Sequence, residues 1–400
     1  MKIGIYGGTF NPPHLGHITA ARAVFETLKL DKLLIVPDGQ PPHKDLPPDS
    51  PSPEQRLALT RLAADYMGLG DRVEVSDIEL RQTAGKSYTV HTLARLHDLY
   101  PEDELWLLMG ADMFLTLHLW REPAEILSLA GIAAFGRTEA DTEELFAVQR
   151  DYLYQTFPQA RLFTLTIPGV VDISSTELRE KLVRGEGASL LAPAVYGLIL
   201  REGMYGTGAD LTHLPLRQLR PAALSYLNHR RIPHVLGTEQ ESIRLARRYG
   251  ADVEKARRAA LLHDCTKKLN MEEQLALCRQ YGIPLDELEQ RALKLLHAKT
   301  GAAIARNVFG VDDEIYSAIR WHTTGHAGMT LLEKIIYLAD YIEPSRDFPG
   351  VEKLRRMCYE DLDKGLLTGL EMTIEEMLGM GNPVHRATLE ARDALKGLKG

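Results

Sequence analysis

The feature that most limits what this chain can fold into is a change of grain along it. Up to about residue 205, short β-rich runs at 2–6, 33–36, 105–109, 132–135 and 162–167 alternate with stretches of helical periodicity such as 20–28 and 54–67. Such alternation predicts parallel strands joined by helical crossovers, hence an α/β doubly wound parallel sheet. Ligands of such a sheet are expected beyond the carboxyl ends of its strands. Residues 214–400 offer no strand candidates and read as successive helices, for example 239–249, 253–262 and 331–342. Between the two, Gly203, Gly206 and Gly208 cluster without periodicity, which marks 206–213 as a linker and 1–205 and 214–400 as separate domains.

Composition narrows the classes of partner. A formal net charge of -8 gives no overall pull toward nucleic acid or anionic lipid, so a phosphate-bearing ligand must be held by local groups. No charged segment followed by a long apolar run opens the sequence, and no later run approaches membrane-spanning length. Cys265, Cys278 and Cys358 have no paired spacing. The expectation is a cytoplasmic protein with neither a membrane nor a nucleic-acid partner, free to form a homo-oligomer.

The first β-rich run leads into Gly7-Gly8-Thr9-Phe10-Asn11-Pro12-Pro13-His14-Leu15-Gly16-His17. Glycines after a strand let backbone approach a ligand closely, and a following helix start offers N–H groups to an anion. On a helix, His14 and His17 would share one face and converge on one phosphate chain. Far downstream, Ile173-Ser174-Ser175-Thr176-Glu177-Leu178-Arg179 has the Ser-x-x-Glu spacing of a capping box, and a capped helix start beside Arg179 is also an anion site.

The two strings resemble the phosphate-binding signatures of the (His/Thr)-x-Gly-His nucleotidyltransferase superfamily, whose fold is Rossmann-like. Over residues 1–205 the resemblance is best to the nicotinate-nucleotide adenylyltransferases. Pro41-Pro42-His43-Lys44 is similar to their lysine-bearing loop, and Ser87-Tyr88-Thr89-Val90-His91-Thr92-Leu93 to the element lining their nicotinate pocket. Gly110-Ala111-Asp112 and Trp120 match stretches near the nucleotides, while Asn11 and His91 depart from the family, which often has Asp at both. The resemblance implies ATP bound by Gly8, Thr9, Phe10, Gly110, Asp112, Ser175 and Thr176, and nicotinate mononucleotide bound by Tyr88, Thr89 and Trp120. It implies in-line attack of the acceptor phosphate on the α-phosphorus of ATP, with His14, His17, Lys44 and Arg179 neutralising charge and Mg²⁺ on the departing pyrophosphate. Related acceptors stay open: nicotinamide mononucleotide, phosphopantetheine or a CTP-linked alcohol, as does a non-catalytic nucleotide-binding regulator.

In the second half, eight histidines fall from residue 213 onward, and His234, His263-Asp264 and Asp340 stand out. Asp340 ends the apolar string Ile335-Ile336-Tyr337-Leu338-Ala339, and a carboxylate so placed is rarely buried without a partner. A cation held by His234, His263, Asp264 and Asp340 would be that partner, and mixed nitrogen and oxygen ligands suit Fe, Mn, Co, Ni or Zn better than Ca²⁺. Cys265 reads as a small buried hydrophobe beside the pair, and His213, His229, His326 and His385 as surface or local structural residues.

The order His, His-Asp, Asp on successive helices is the pattern of the HD phosphohydrolases. With 332–344 and Arg320-Trp321-His322-Thr323-Thr324-Gly325, it resembles the bacterial HD family that cleaves diadenosine tetraphosphate into two ADP. That resemblance implies an all-α domain and an iron or other divalent transition-metal centre, Asp264 being both ligand and catalytic. It places Arg231, Lys267, His297, His322, Thr323 and Arg346 toward the substrate phosphates, and leaves His297 or His322 open to hold a second metal. The chemistry implied is hydrolysis by water activated on the cation. Other nucleotide substrates (a dNTP, a cyclic nucleotide, a guanosine alarmone) stay open, as does a metal-stiffened interaction module.

Overall fold

The computed structural model describes residues 1–40, 46–81, 86–136, 142–167 and 173–397. It divides into two compact units, Met1–Gly208 and Ala209–Gly400.

The first unit is built on one sheet of six strands in the order β3-β2-β1-β4-β5-β6. They are β1 (Lys2–Gly8), β2 (Lys32–Pro37), β3 (Val73–Val75), β4 (Glu104–Gly110), β5 (Gly131–Gly136) and β6 (Leu162–Thr166). Every pairing is parallel. The helices are α1 (Leu15–Thr27), α2 (Pro53–Tyr66), α3 (Thr89–Leu99), α4 (Ala111–Leu115), α5 (Pro123–Leu129), α6 (Glu143–Thr156), α7 (Ser175–Val183) and α8 (Pro193–Arg201). Side chains alternate across a strand, so Ile3, Ile5, Leu34, Val36, Leu105, Leu107, Ile132 and Ala134 form one buried face, against which Val90, Leu93, Phe114 and Phe146 pack. The doubly wound sheet expected from the sequence is therefore present. The strand missed is β3, three residues long and paired only to β2, too short to show a period. Strand order turns back between β1 and β4, which places the ligand crevice beyond Gly8 and Gly110.

The second unit is helical: α9 (Leu216–Leu224), α10 (Ile232–Tyr249), α11 (Val253–Leu262), α12 (Met271–Gln280), α13 (Leu293–Phe309), α14 (Asp313–Trp321), α15 (Leu331–Ile342), α16 (Val351–Glu360), α17 (Leu362–Gly379) and α18 (Arg386–Leu395). Helix α15 lies at its centre, packed on α10, α11, α14 and α17 with Ile335, Ile336, Leu338 and Ala339 fully buried. The sequence placed the start of α10 at residue 239. It begins seven residues earlier, at Ile232, because Pro233 fits a first helical turn and Gly237 weakens the periodicity without ending the helix. Among the described residues no helix is long and apolar enough to cross a membrane, and all three cysteines are buried and outside any disulfide.

Candidate active sites

In the first unit two adjoining cavities open at the carboxyl ends of the strands and share Gly7, Gly8 and Thr9. One is polar and carries Gly8, Thr9, Phe10, His14, His17, Gly110, Asp112, Ser175, Thr176 and Arg179. The other carries Tyr88, Thr89 and Trp120. Every first-half candidate named from the sequence thus lines one of the two, except Lys44, which with its loop lies outside the described residues.

The histidines do not share a helix face, as the sequence spacing suggested. His14 is the N-cap of α1, with extended backbone, and its ring stacks on His17 with centroids 3.7 Å apart. The His14 backbone N–H donates to His17 Nδ1 at 3.2 Å. A neutral His17 therefore carries its proton on Nε2, where it is a donor for an anionic oxygen. Helix α7 starts on a complete capping box: the Ser174 hydroxyl accepts from the Glu177 N–H at 3.2 Å, and Glu177 Oε2 accepts from the Ser174 N–H at 2.9 Å. Arg179 donates to the Asn11 carbonyl at 2.8 Å and to the Thr176 hydroxyl at 3.0 Å, which ties α7 to the glycine loop.

Five side chains escaped the sequence reading. Arg56, 1% exposed, donates to the carbonyls of Thr9 (3.2 Å), Asp38 (2.8 Å) and Gly39 (3.3 Å), clamping the loops after β1 and β2 together. Tyr205 donates to Asn11 Oδ1 at 2.8 Å while the Asn11 amide donates to Ser50 at 2.8 Å, so the residue that departs from the family is a neutral link between Tyr205 and Ser50. Arg121 lies over the Tyr88 ring, 4.7 Å from its centroid. Asp38 and Glu79 also line the ring cavity. Burial, and then the Glu79 charge, raise Asp38 to about 7 against the pull of the Thr9 hydroxyl and Arg56. Nothing local in the sequence marks these acids, because only the fold brings residues 38 and 79 to one cavity. His91 stands exposed on α3 and lines neither cavity.

In the second unit, helix ends deliver the site. His234 sits in the first turn of α10, His263-Asp264 follow α11, His297 is early in α13, His322 follows α14, and Asp340 is in the last turn of α15. His263 Nδ1 faces the Ala260 carbonyl at 2.6 Å and His322 Nδ1 the Ile319 carbonyl at 2.7 Å. A carbonyl only accepts, so both Nδ1 atoms carry the proton and each Nε2 keeps a lone pair. His234 Nδ1 meets Glu343 Oε1 at 3.0 Å, leaving its Nε2 turned toward His263 Nε2 (3.4 Å) and Asp340 Oδ1 (3.0 Å).

Asp264 is fully buried between the histidines. Its Oδ2 lies 3.4 Å from His263 Nε2 and 3.7 Å from His234 Nε2; its Oδ1, which accepts no hydrogen bond, lies 3.3 Å from His297 Nε2. Ligand atoms of His234, His263 and Asp264 come within 4.8 Å of one another, as do those of Asp264, His297 and His322, and of His263, His322 and Asp340. Converging imidazole lone pairs and a buried carboxylate fit a divalent transition cation, and repel one another without a positive charge among them.

The electrostatics agree in direction. Burial opposes the charge on Asp264, yet His263 and His297 hold its carboxyl well below the usual range. Asp340 is likewise held well below it against burial, chiefly by His234, whose Nε2 lies 3.0 Å from Oδ1. Burial pushes His322 well down and His297 down, which favours the neutral form of both imidazoles. Lys267 reaches His297 Nε2 at 3.1 Å, with its own pKa lowered by burial, and the Thr323 hydroxyl lies 3.4 Å from the same nitrogen. Arg231 pairs with Asp264, and Arg346 with Asp340 at 2.6 Å, so both guanidinium groups border the cluster through its carboxylates. Cys265 is buried as expected. His385 has the local structural role expected of it, as the N-cap of α18 beside Asp286 (3.2 Å) and Glu289 (3.6 Å).

Comparison with known proteins matches the same two regions. The cytidylyltransferase-like family model matches residues 5–181 and the HD domain model residues 231–345. A protein of Desulfatibacillum aliphaticivorans named "Probable nicotinate-nucleotide adenylyltransferase" is 34% identical over 223 residues, covering 51% of this chain and 100% of its own. A symmetrical bis(5'-nucleosyl)-tetraphosphatase of Halalkalibacterium halodurans is 41% identical over 176 residues, covering 42% of this chain and 91% of its own. A solved structure from Clostridium acetobutylicum, described as a predicted HD superfamily hydrolase involved in NAD metabolism, is 41% identical over 46% of this chain and 98% of its own, with a TM-score of 0.45. The chain thus belongs to two enzyme families at once, the nicotinate-nucleotide adenylyltransferases through its first unit and the HD-domain symmetrical bis(5'-nucleosyl)-tetraphosphatases through its second.

Proposed function

We propose that the first unit transfers the adenylyl group of ATP to nicotinate mononucleotide, releasing deamido-NAD and pyrophosphate. We propose that the second cleaves diadenosine tetraphosphate with one water into two ADP. For the transferase, the observation that carries the reading is the convergence of the His17 Nε2–H, the α7 N-terminus and Arg179 on one polar cavity. Phosphoryl chemistry of this kind needs aligned donors and charge neutralisation rather than a covalent nucleophile. ATP enters with Mg²⁺ on its phosphates, its ribose and phosphates lie along Gly8–Phe10 and Gly110–Asp112, and the pyridine ring enters between Tyr88 and Trp120. Lys44, by its place in the motif, joins the phosphate donors.

A second acceptor has one observation in its favour. Asp38 and the Glu79 Oε2, which accepts no hydrogen bond, border the ring cavity and suit an amide better than a carboxylate. Nicotinamide mononucleotide therefore belongs in the same assay.

For the hydrolase, the carrying observation is the convergence of Nε2 of His234 and Nε2 of His263, 3.4 Å apart, beside Asp264 and Asp340. His234, His263, Asp264 and Asp340 would hold a divalent transition cation such as iron, which would activate water for attack and offset phosphate charge. Lys267, Arg231 and Arg346 supply positive charge for the remaining phosphates, and His297 with His322 offers further nitrogens to a cation or a phosphate. Incubating the purified chain with ATP plus each mononucleotide, and separately with diadenosine tetraphosphate, tests both halves by product chromatography. Deamido-NAD and ADP alone support the reading; AMP plus ATP from the tetraphosphate, or no dinucleotide from either acceptor, refutes the corresponding half.

A further inference from the structure

Glu343, the C-cap of α15, lies three residues beyond Asp340 and is fully buried. A buried carboxylate needs partners, and the structure supplies them on every side. Oε1 meets His234 Nδ1 at 3.0 Å and accepts from the Ser345 hydroxyl at 2.5 Å, while Oε2 accepts from the Ser345 N–H at 2.7 Å. The backbone carrying it is fixed as well, because Arg355 donates to the carbonyls of Ile342, Glu343 and Arg346, each at 2.8 Å. On the other side, Gly237 lies three residues after His234 on α10, where a Cβ would collide with Glu343 Oε2 and stand 3.3 Å from its Cδ. The absence of a side chain at 237 is thus what lets the carboxylate lie against α10 and reach His234.

We propose that Glu343 is a positioning residue for the HD centre. Its carboxylate accepts a hydrogen bond from the His234 Nδ1–H, and so fixes the ring with Nε2 turned toward His263 and Asp340, where a cation can meet it. An anionic acceptor behind an imidazole also raises the basicity of the other nitrogen, so the effect falls on metal affinity before it falls on turnover. Glu343 touches neither substrate phosphate nor the reacting water; it acts through His234. Gly237 is the second half of the device, a gap one helical turn away that only the closeness of α15 to α10 explains. The proposal rests on the metal reading of the site, and the two fail separately.

The test uses the full chain, stripped of metal, titrated with Co²⁺ and with Zn²⁺ against a competing chelator, alongside thermal unfolding of each apo-protein. Glu343→Ala should weaken both affinities roughly 10–100-fold, with Glu343→Gln, which keeps shape and loses charge, falling in between. Gly237→Ala should weaken them too, by displacing the carboxylate, with the helix preference of alanine offsetting part of what the collision costs the apo-protein. If wild type takes up neither ion, the metal reading itself falls. If wild type binds while Glu343→Ala and Gly237→Ala bind equally well, the positioning role alone falls. Affinity losses that merely track lower apo stability also overturn it. Should Glu343→Ala not fold, Glu343→Gln and Gly237→Ala decide the matter in the same way: weakened binding in both supports the positioning role, and wild-type affinity in both overturns it.

Discussion

His234 Nε2 and His263 Nε2 face each other at 3.4 Å, and each ring has committed its other nitrogen to an oxygen acceptor. Two lone pairs brought that close repel unless a proton or a metal ion stands between them. His234 already shows the pull of the acids around it: burial lowers its pKa, but Asp340 and Glu343 outweigh burial and leave it raised. The second unit thus gathers imidazole nitrogens and carboxylates that a divalent cation would satisfy together. His263 and His322 use one device twice, each standing just past a helix end and bonding the carbonyl three residues back.

In the first unit, His17→Ala and Arg179→Ala are expected to lower the kcat of adenylyl transfer by about 100-fold or more, if each meets charge that develops in the transition state. Tetraphosphate hydrolysis should stay at its wild-type rate. Steady-state kinetics on both reactions check this, and a change confined to KM would mean that the two groups only hold ground-state ATP.

Asp38 gives the transferase a pH dependence. Raised to about 7 by burial and Glu79, its carboxyl is neutral below that pH and charged above it. Its contribution to folding has the same sign, present below the unfolded value of 3.8 and lost as pH rises through 7. The charge faces the ring cavity, so the KM of an anionic acceptor should rise as pH climbs past 7, and Asp38→Asn should flatten the rise. An unchanged profile in the variant would remove Asp38 from acceptor recognition.

Glu289 is the matching case for stability in the second unit. Burial works against its charge, but His385 and Lys299 more than compensate and lower it to about 2. Lys299 also donates to the Pro284 carbonyl at 2.8 Å, so the pair anchors the segment before α13. A depressed carboxylate stabilises above its unfolded value of 4.5, and that stabilisation is lost as pH falls from 4.5 toward 2. Glu289→Gln is expected to cost about 3 kcal/mol near neutrality, since it strands a buried ammonium. Denaturant melts should show the gap to wild type closing below pH 4.5; a gap independent of pH would assign the loss to packing.

Much of this was legible in the sequence because the informative signals are local. The glycine string before His14 and His17, the Ser174–Glu177 box and the pair His263-Asp264 each lie within a few residues and act through adjacent backbone. What stayed hidden depends on distance along the chain. Arg56 looks like one more basic residue on a helix until α2 is packed against β2 and its guanidinium meets the carbonyls of Thr9, Asp38 and Gly39. Asp38 and Glu79 meet only because β2 and β3, which precede them, pair side by side. Glu343 sat inside a string already noted for Asp340, yet its partner His234 lies 109 residues away. The stacking of His14 on His17 was missed because identity and spacing do not reveal that the first of them is a cap.

The two units should also part. Fragments 1–208 and 209–400, cut where the compact units divide, are expected to express as folded pieces that keep adenylyl transfer and hydrolysis respectively. Circular dichroism melts and activity assays on each fragment check this, and insolubility of both would contradict the division.

The central claim is that the second unit is a metal-dependent hydrolase, and Asp264→Asn with Asp340→Asn tests it most directly. Asparagine keeps the shape of each side chain and removes the charge, so a packing role would leave both variants close to wild type. Elemental analysis of the purified proteins, with ADP release from diadenosine tetraphosphate followed in the same preparations, should show wild type carrying a divalent transition metal and forming ADP. Both variants should lose the metal and the hydrolysis together while adenylyl transfer continues. Variants that retain wild-type metal content and turnover would contradict the account and leave the second unit a helical domain whose histidines serve only its fold.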